Sequence, residues 1–366
     1  MLLADILRQD RYLAWRAGRL RHQPEMPFPV LSTKIKLTWH CQLRCRVCRL
    51  WSLAQFDPAK TSLPVDLVKS ILTELRAHGL RKVHFSGGEV LTYTGFKDVV
   101  SHARSLDLQV NFTTNGVLLD KAWARFLVKE RVHTITFSVD APYPELHDAM
   151  RGVKGAWKGV WKGITAVQSQ PKKAGRSPVI AVNTVITRDN IDHLGDLYGL
   201  LLSHGITQWR LLPVASPDKK VRPTPEQWSA LAAQATTWQN ILTRPPILGH
   251  PDQTEKSARY AQKGRYAGAF YDHVMCLAPW FHVFIEANGT AYPCCMGKAQ
   301  MPVYGNLMED SLEDILTSPR RQEIRYTLAA GRVFPVCHNC MDFVDENQAV
   351  ADLSSAELAP PETGQP

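Results

Sequence analysis

The sequence predicts an α/β protein with a largely parallel sheet and a smaller α+β module at its C-terminal end. Six strand-like segments rich in apolar and β-branched residues recur between residues 33 and 213, each followed by a helix-like segment. A change of texture near Cys276, where an alternating apolar run meets a turn and a returning strand, marks the second module. Repeated βα units imply parallel pairing with right-handed crossovers. Periodicity leaves two geometries open, an open doubly wound sheet or a partial barrel. Both put ligand chemistry at the carboxyl ends of the strands.

Lys34–Trp39 is the first predicted strand and is followed by a helix over Pro64–His78; Lys82–Ser86 leads to a helix near Phe96–Arg104. Gln109–Thr114 precedes the helical stretch Asp120–Lys129, and Val132–Asp140 precedes Ala156–Gln168. Val179–Thr187 leads to Ile191–Ser203, and Gln208–Val214 closes the series. Loops are expected at Gln170–Pro178 and Ser216–Pro225, then a helix over Pro225–Leu242 and a Pro- and Gly-bearing stretch to about Lys263. Phe281–Glu286, the turn Ala287-Asn288-Gly289 and Thr290–Tyr292 read as a β-hairpin, followed by helical pieces over Ser311–Leu316 and Pro319–Ala330. The expected organisation is an N-terminal helical extension over 1–30, a core over 31–215, a helical connector over 216–275, the second module over 276–350 and a disordered tail over 351–366.

Composition narrows the function classes. A formal charge of +9 comes from 43 Lys and Arg spread along the chain, and no nucleic-acid-binding fingerprint accompanies them, so no nucleic acid is expected as a partner. No run of about 18 apolar residues exists, so no transmembrane segment is expected. The basic amphipathic segment Leu2–Arg21 reads as a helix packing on its own domain. Asp5, Arg8, Asp10 and Arg11 interrupt any export signal, so a cytoplasmic location is expected. In reducing surroundings eight cysteines point to metal ligation rather than disulfides.

Cys41, Cys45 and Cys48 lie within eight residues, directly after the first strand. Three thiolates on one such loop wrap an inorganic cluster and leave its fourth iron without a protein ligand, open to a chelating nucleoside cofactor. Zinc with His40 as fourth ligand is the bland alternative. Further along, Cys276, the adjacent pair Cys294 and Cys295, and the CxxC formed by Cys337 and Cys340 supply enough thiols to coordinate a second cluster, or one zinc ion, completely.

The CxxxCxxC spacing at this position resembles the signature of the radical S-adenosylmethionine superfamily, with Val47 where many members carry an aromatic. The resemblance implies a partial (β/α)6 barrel. It also implies contacts to S-adenosyl-L-methionine from Gly87, Gly88 and Glu89 after the second strand, Asn115 after the third, Ser138 and Asp140 after the fourth, and Arg151. His147 is expected at the surface. The Cys-x-x-Pro-Trp, Pro-Cys-Cys, Tyr304-Gly-Asn306 and Cys-His-Asn-Cys segments resemble the shortened SPASM type, the twitch domain. That implies one auxiliary 4Fe-4S cluster on Cys276, Cys294, Cys337 and Cys340, two clusters in all, and an external electron donor such as flavodoxin or ferredoxin. Cys295 is the spare thiol, though it can replace Cys294.

The expected activity is an oxidoreductase in which a 5'-deoxyadenosyl radical takes a substrate hydrogen and the auxiliary cluster transfers an electron. About thirty residues precede the first strand, which favours a small, carbohydrate-like metabolite. Peptide maturation is the main alternative. A zinc-stapled, non-catalytic binding module is the rival of another class.

Overall fold

The structure, a computed structural model, describes residues 6, 9–48, 50, 61–171, 177–214, 216, 218–235, 237–238, 241–244, 270–297, 300–340 and 342–353. Parts of the expected extension, connector and tail, among them 1–5, 245–269 and 354–366, lie outside the described residues.

The strands are β1 (Ser32–Lys36), β2 (Lys82–Ser86), β3 (Gln109–Thr114), β4 (Thr134–Ser138), β5 (Val179–Ile186), β6 (Gln208–Pro213), β7 (Leu242–Arg244), β8 (His282–Ile285), β9 (Thr290–Tyr292) and β10 (Gly305–Asn306). The helices are α1 (Arg11–Arg19), α2 (Val65–Ala77), α3 (Phe96–Ser105), α4 (Lys121–Lys129), α5 (Pro144–Arg151), α6 (Ala156–Gln168), α7 (Leu194–Ser203), α8 (Pro225–Ala235), α9 (Ala278–Phe281), α10 (Leu312–Thr317), α11 (Pro319–Ala329) and α12 (Val344–Ala351).

One ten-stranded sheet runs in the order β10-β9-β8-β1-β2-β3-β4-β5-β6-β7, and its edges β10 and β7 do not pair, so the barrel is partial. Strands β1 to β7 pair in parallel and β8 joins β1 in parallel, while β9 pairs antiparallel with both β8 and β10. All six predicted strands are present. The hairpin differs from expectation in its partner: β8 pairs in parallel with β1, Ser32 opposite His282, so the second module continues the core sheet instead of starting a separate one. Hairpin chemistry fixes the turn, with Gly289 at φ 85°, but encodes no lateral partner.

Alternation along the strands separates two environments. Ile35, Phe85, Phe112, Phe137, Val182 and Trp209 point outward and are fully buried under the helices. Phe96 of α3 meets Phe85 and Phe112 edge-on, with ring centroids 5.9 and 5.2 Å apart. Burying one such ring stabilises by about 1.5–3 kcal/mol. Lys34, His84, Thr113, Thr136, Asn183, Arg210 and His282 point inward and line a cavity of about 250 Å³. Helix α1 buries Leu13, Ala14 and Ala17 against the domain, as the packing expectation for the basic amphipathic segment requires.

Candidate functional site

The loop after β1 is held from two sides. Beneath it, the Gly88 amide donates to the Thr38 carbonyl at 2.7 Å and the Glu89 amide to the His40 carbonyl at 2.8 Å. A Cβ on Gly88 would lie 2.2 Å from the His40 carbonyl oxygen and one on Gly87 2.4 Å from that of Thr38. The two glycines are therefore what allows the turn after β2 to touch the cysteine loop. Beside it, the Arg44 and Arg46 amides donate to the carbonyls of Arg151 and Met150 at the end of α5, at 3.1 and 3.0 Å. Gly152 ends that helix at φ 70°, with no room for a Cβ next to the Arg44 carbonyl.

These contacts bring Cys41, Cys45, Glu89, Asn115, Asp140 and Arg151 to one place. Asn115 Nδ2 approaches Cys41 Sγ at 3.8 Å and Arg151 Nη1 approaches Cys45 Sγ at 3.9 Å. Arg151 Nη2 also pairs with Asp140 Oδ2 at 2.8 Å, and Asp140 Oδ1 accepts from the Val185 amide at 2.9 Å. Glu89 is buried; its carboxylate accepts from Thr114 Oγ1 and the Asn115 amide at 2.7 Å each and from the Leu91 amide at 3.1 Å. Burial pushes its pKa up while those donors oppose the shift. Ser138 ends β4 opposite Asn183.

Two side chains escaped the sequence reading. His147 is not at the surface: it is buried, and its Nδ1 accepts from the Asp140 amide at 3.2 Å, which puts the proton of the neutral ring on Nε2. Burial, then the Arg151 charge, lowers its pKa to about 3. Helix α5 itself was missed, although Pro144 at its start and Gly152 just past its end are the usual start and stop signals. Gln42 is the second, donating to Asn115 Oδ1 at 3.0 Å.

At the other thiol site, Cys276, Cys294, Cys337 and Cys340 line one apolar pocket, walled in part by Pro279, Met301, Leu328 and Phe343. Cys337 sits on the 3₁₀ turn Pro335–Asn339 and Cys340 caps its end, its amide donating to the Cys337 carbonyl at 3.1 Å. Cys295 faces elsewhere. It lines the 250 Å³ cavity, and its thiol donates to Asp342 Oδ2 at 2.8 Å. Tyr304 and Trp280 are buried, with Trp280 Nε1 donating to the Pro24 carbonyl at 2.9 Å.

The donor sets, three thiols on one loop and four around an apolar pocket, suit iron-sulfur clusters. Next to the first thiol site, Ser86 Oγ and Arg151 Nε are buried polar atoms with no hydrogen-bond partner, as expected where a polar cofactor supplies the missing groups. Burial raises the Cys41 and Cys294 thiols to about 12, so thiolate ligation depends on the positive charge of bound iron.

A partial α/β barrel with a three-thiol loop at its strand ends and a four-thiol pocket beyond it defines an enzyme built around iron-sulfur chemistry. Residues 35–201 match the Radical SAM superfamily and residues 276–341 the SPASM iron-sulfur cluster-binding domain. The chain belongs to the radical SAM superfamily and carries a SPASM-type domain; S-adenosyl-L-methionine and 4Fe-4S clusters are its cofactors. It is 28% identical to an AdoMet-dependent heme synthase of Oleidesulfovibrio alaskensis over 48% of this chain and 43% of that protein, so the match spans under half of that relative's length. It is 23% identical to the PqqA peptide cyclase of Gluconobacter oxydans over 74% of this chain and 71% of the cyclase. Streptococcus suis SuiB bound to S-adenosylmethionine shares the fold, with a TM-score of 0.63 at 17% identity, covering 89% of this chain and 76% of SuiB. No described helix is long and apolar enough to cross a membrane.

Proposed function

We propose that this enzyme modifies a peptide, with S-adenosyl-L-methionine held at the Cys41, Cys45 and Cys48 site and the second cluster held by Cys276, Cys294, Cys337 and Cys340. This replaces the small-metabolite expectation. The observation that carries it is the extent of likeness to the PqqA peptide cyclase, which spans most of both proteins, whereas the heme synthase match covers 176 residues. When bound, the first cluster and S-adenosyl-L-methionine supply a 5'-deoxyadenosyl radical able to take a hydrogen atom from a substrate carbon.

The chain's own residues position that chemistry. Gly87 and Gly88 bring the backbone close enough for Glu89 to face the cofactor's ammonium, whose charge offsets the burial of that carboxylate. Arg151, fixed by Asp140, offers its unpartnered Nε to the cofactor's carboxylate. Asn115 and Ser138 stand at neighbouring strand ends for the ribose. Full thiol ligation makes the second cluster an electron carrier, and an external donor such as flavodoxin or ferredoxin supplies the first electron.

The test is incubation of the anaerobically reconstituted enzyme with S-adenosyl-L-methionine, a reductant and short peptides encoded beside its gene. A mass change in one peptide with matching 5'-deoxyadenosine is expected. Conversion of a small metabolite with every peptide left intact would overturn the proposal.

A further inference from the structure

The barrel interior raises a question that the cofactors do not answer. In most α/β barrels this space is filled by layers of Val, Ile and Leu, a packed core. Here the inward positions carry Lys34, Lys82, His84 and Arg210, and the space stays open at about 250 Å³. The cavity lies between the two thiol sites: Thr113 in its wall is two residues before Asn115, and Cys295, next to Cys294, lines it too.

Its charge is lopsided. Lys34, Arg81, Lys82 and Arg210 face two carboxylates, Asp342 and Glu346. The imidazoles of His84 and His282 add no charge, because burial and the nearby Lys34 hold both in the neutral form. Among the described residues no hydrogen bond or ion pair closes on the Lys34 ammonium, although the Asp342 and Glu286 carboxylates draw it electrostatically. A half-buried ammonium at a cavity wall, with a guanidinium on the same inward face, is stabilised by a ligand that brings an anion. The volume sits just below the ~300–1,000 Å³ of pockets that bury drug-sized ligands, which suits one side chain.

We propose that this cavity is a carboxylate subsite, in which Lys34, with Lys82 and Arg210 lining the same space, receives an acidic side chain of the substrate. This deepens the peptide reading above and rests on it for the identity of the carboxylate's bearer. An ammonium and a guanidinium together satisfy both oxygens of a carboxylate, which a neutral amide cannot reproduce.

The test uses the reconstituted enzyme with S-adenosyl-L-methionine and two labelled probes, N-acetylglutamic acid α-amide and N-acetylglutamine α-amide, in equilibrium dialysis. The carboxylate probe should bind at least about tenfold more tightly, the difference expected when charged hydrogen bonds are formed. Lys34→Met should lose about tenfold in carboxylate affinity and Lys34→Arg should retain most of it, with iron content and far-UV circular dichroism checking that each variant is folded. Asp342→Asn removes a competing anion and should tighten carboxylate binding. Equal binding of the two probes, undiminished binding by folded Lys34→Met, or displacement by inorganic phosphate as readily as by unlabelled carboxylate probe would overturn the proposal. Modification of neutral peptides with no carboxylate preference would sink the subsite and leave the peptide reading intact; carboxylate binding without any peptide ever being altered would do the reverse.

Discussion

The two thiol sites solve the ligand problem in opposite ways. Cys41, Cys45 and Cys48 come from one loop, and backbone contacts from the turn after β2 and from the end of α5 hold that loop in place. Cys276, Cys294, Cys337 and Cys340 come from three segments that meet around an apolar pocket. A single short loop presents three thiols and stops, leaving a metal corner for a cofactor. Three converging segments present four and close the coordination sphere. On the proposed reading, the first site carries the chemistry and the second the electron transfer.

The largest expected effect separates the sites outright. Cys45→Ser should abolish 5'-deoxyadenosine formation while the second site still loads about four irons, measured by iron analysis after anaerobic reconstitution. Within the second site, Cys294→Ser should cut bound iron from about eight to about four, whereas Cys295→Ser should leave it unchanged because that thiol faces the central cavity. Equal iron loss in the two variants would break the assignment.

The backing of the first loop is the next target. Gly88→Ala forces a Cβ into the His40 carbonyl, and backbone atoms there have no rotamer by which to yield. A loss of about 1–3 kcal/mol in denaturant-unfolding stability is expected, with weakened iron retention confined to the first site.

The smallest effect is a pH slope. The folded-state pKa of His147 is lowered from 6.5 to about 3, by burial first and Arg151 second, so the unfolded chain binds its proton more readily. The stability this neutral ring contributes is present above about pH 6.5 and is lost as pH falls toward 3. The expected slope is about 1.4 kcal/mol per pH unit within that window. His147→Asn, which keeps an acceptor for the Asp140 amide, should flatten that part of the urea-unfolding profile.

Much of this is legible in the sequence alone. The strands declared themselves through their outward residues, such as Phe85, Phe112 and Val182, because helices cover that face and apolar side chains are required there. The cysteine loop was legible because covalent spacing fixes what three thiols on one loop can reach. Lateral pairing of β8 with β1 was not, since alternation in a hairpin states which face is buried and nothing about its neighbour. A readable signal went unused: strands buried on both faces read as continuous apolar runs, yet Lys34, His84, Asn183 and Arg210 interrupt theirs at inward positions. Those interruptions are the polar cavity. His147 was misjudged because polar neighbours on a short helix read as exposed, while its burial depends on packing against the Asp140 strand end.

The most direct test of the open three-thiol site is electron paramagnetic resonance of the reduced, reconstituted protein in a Cys294→Ser background, with and without S-adenosyl-L-methionine. A marked change in the signal on cofactor addition is predicted, because the cofactor takes the corner that protein leaves free. A spectrum indifferent to the cofactor in a cluster-loaded protein would mean that the corner is already filled, and would contradict the account.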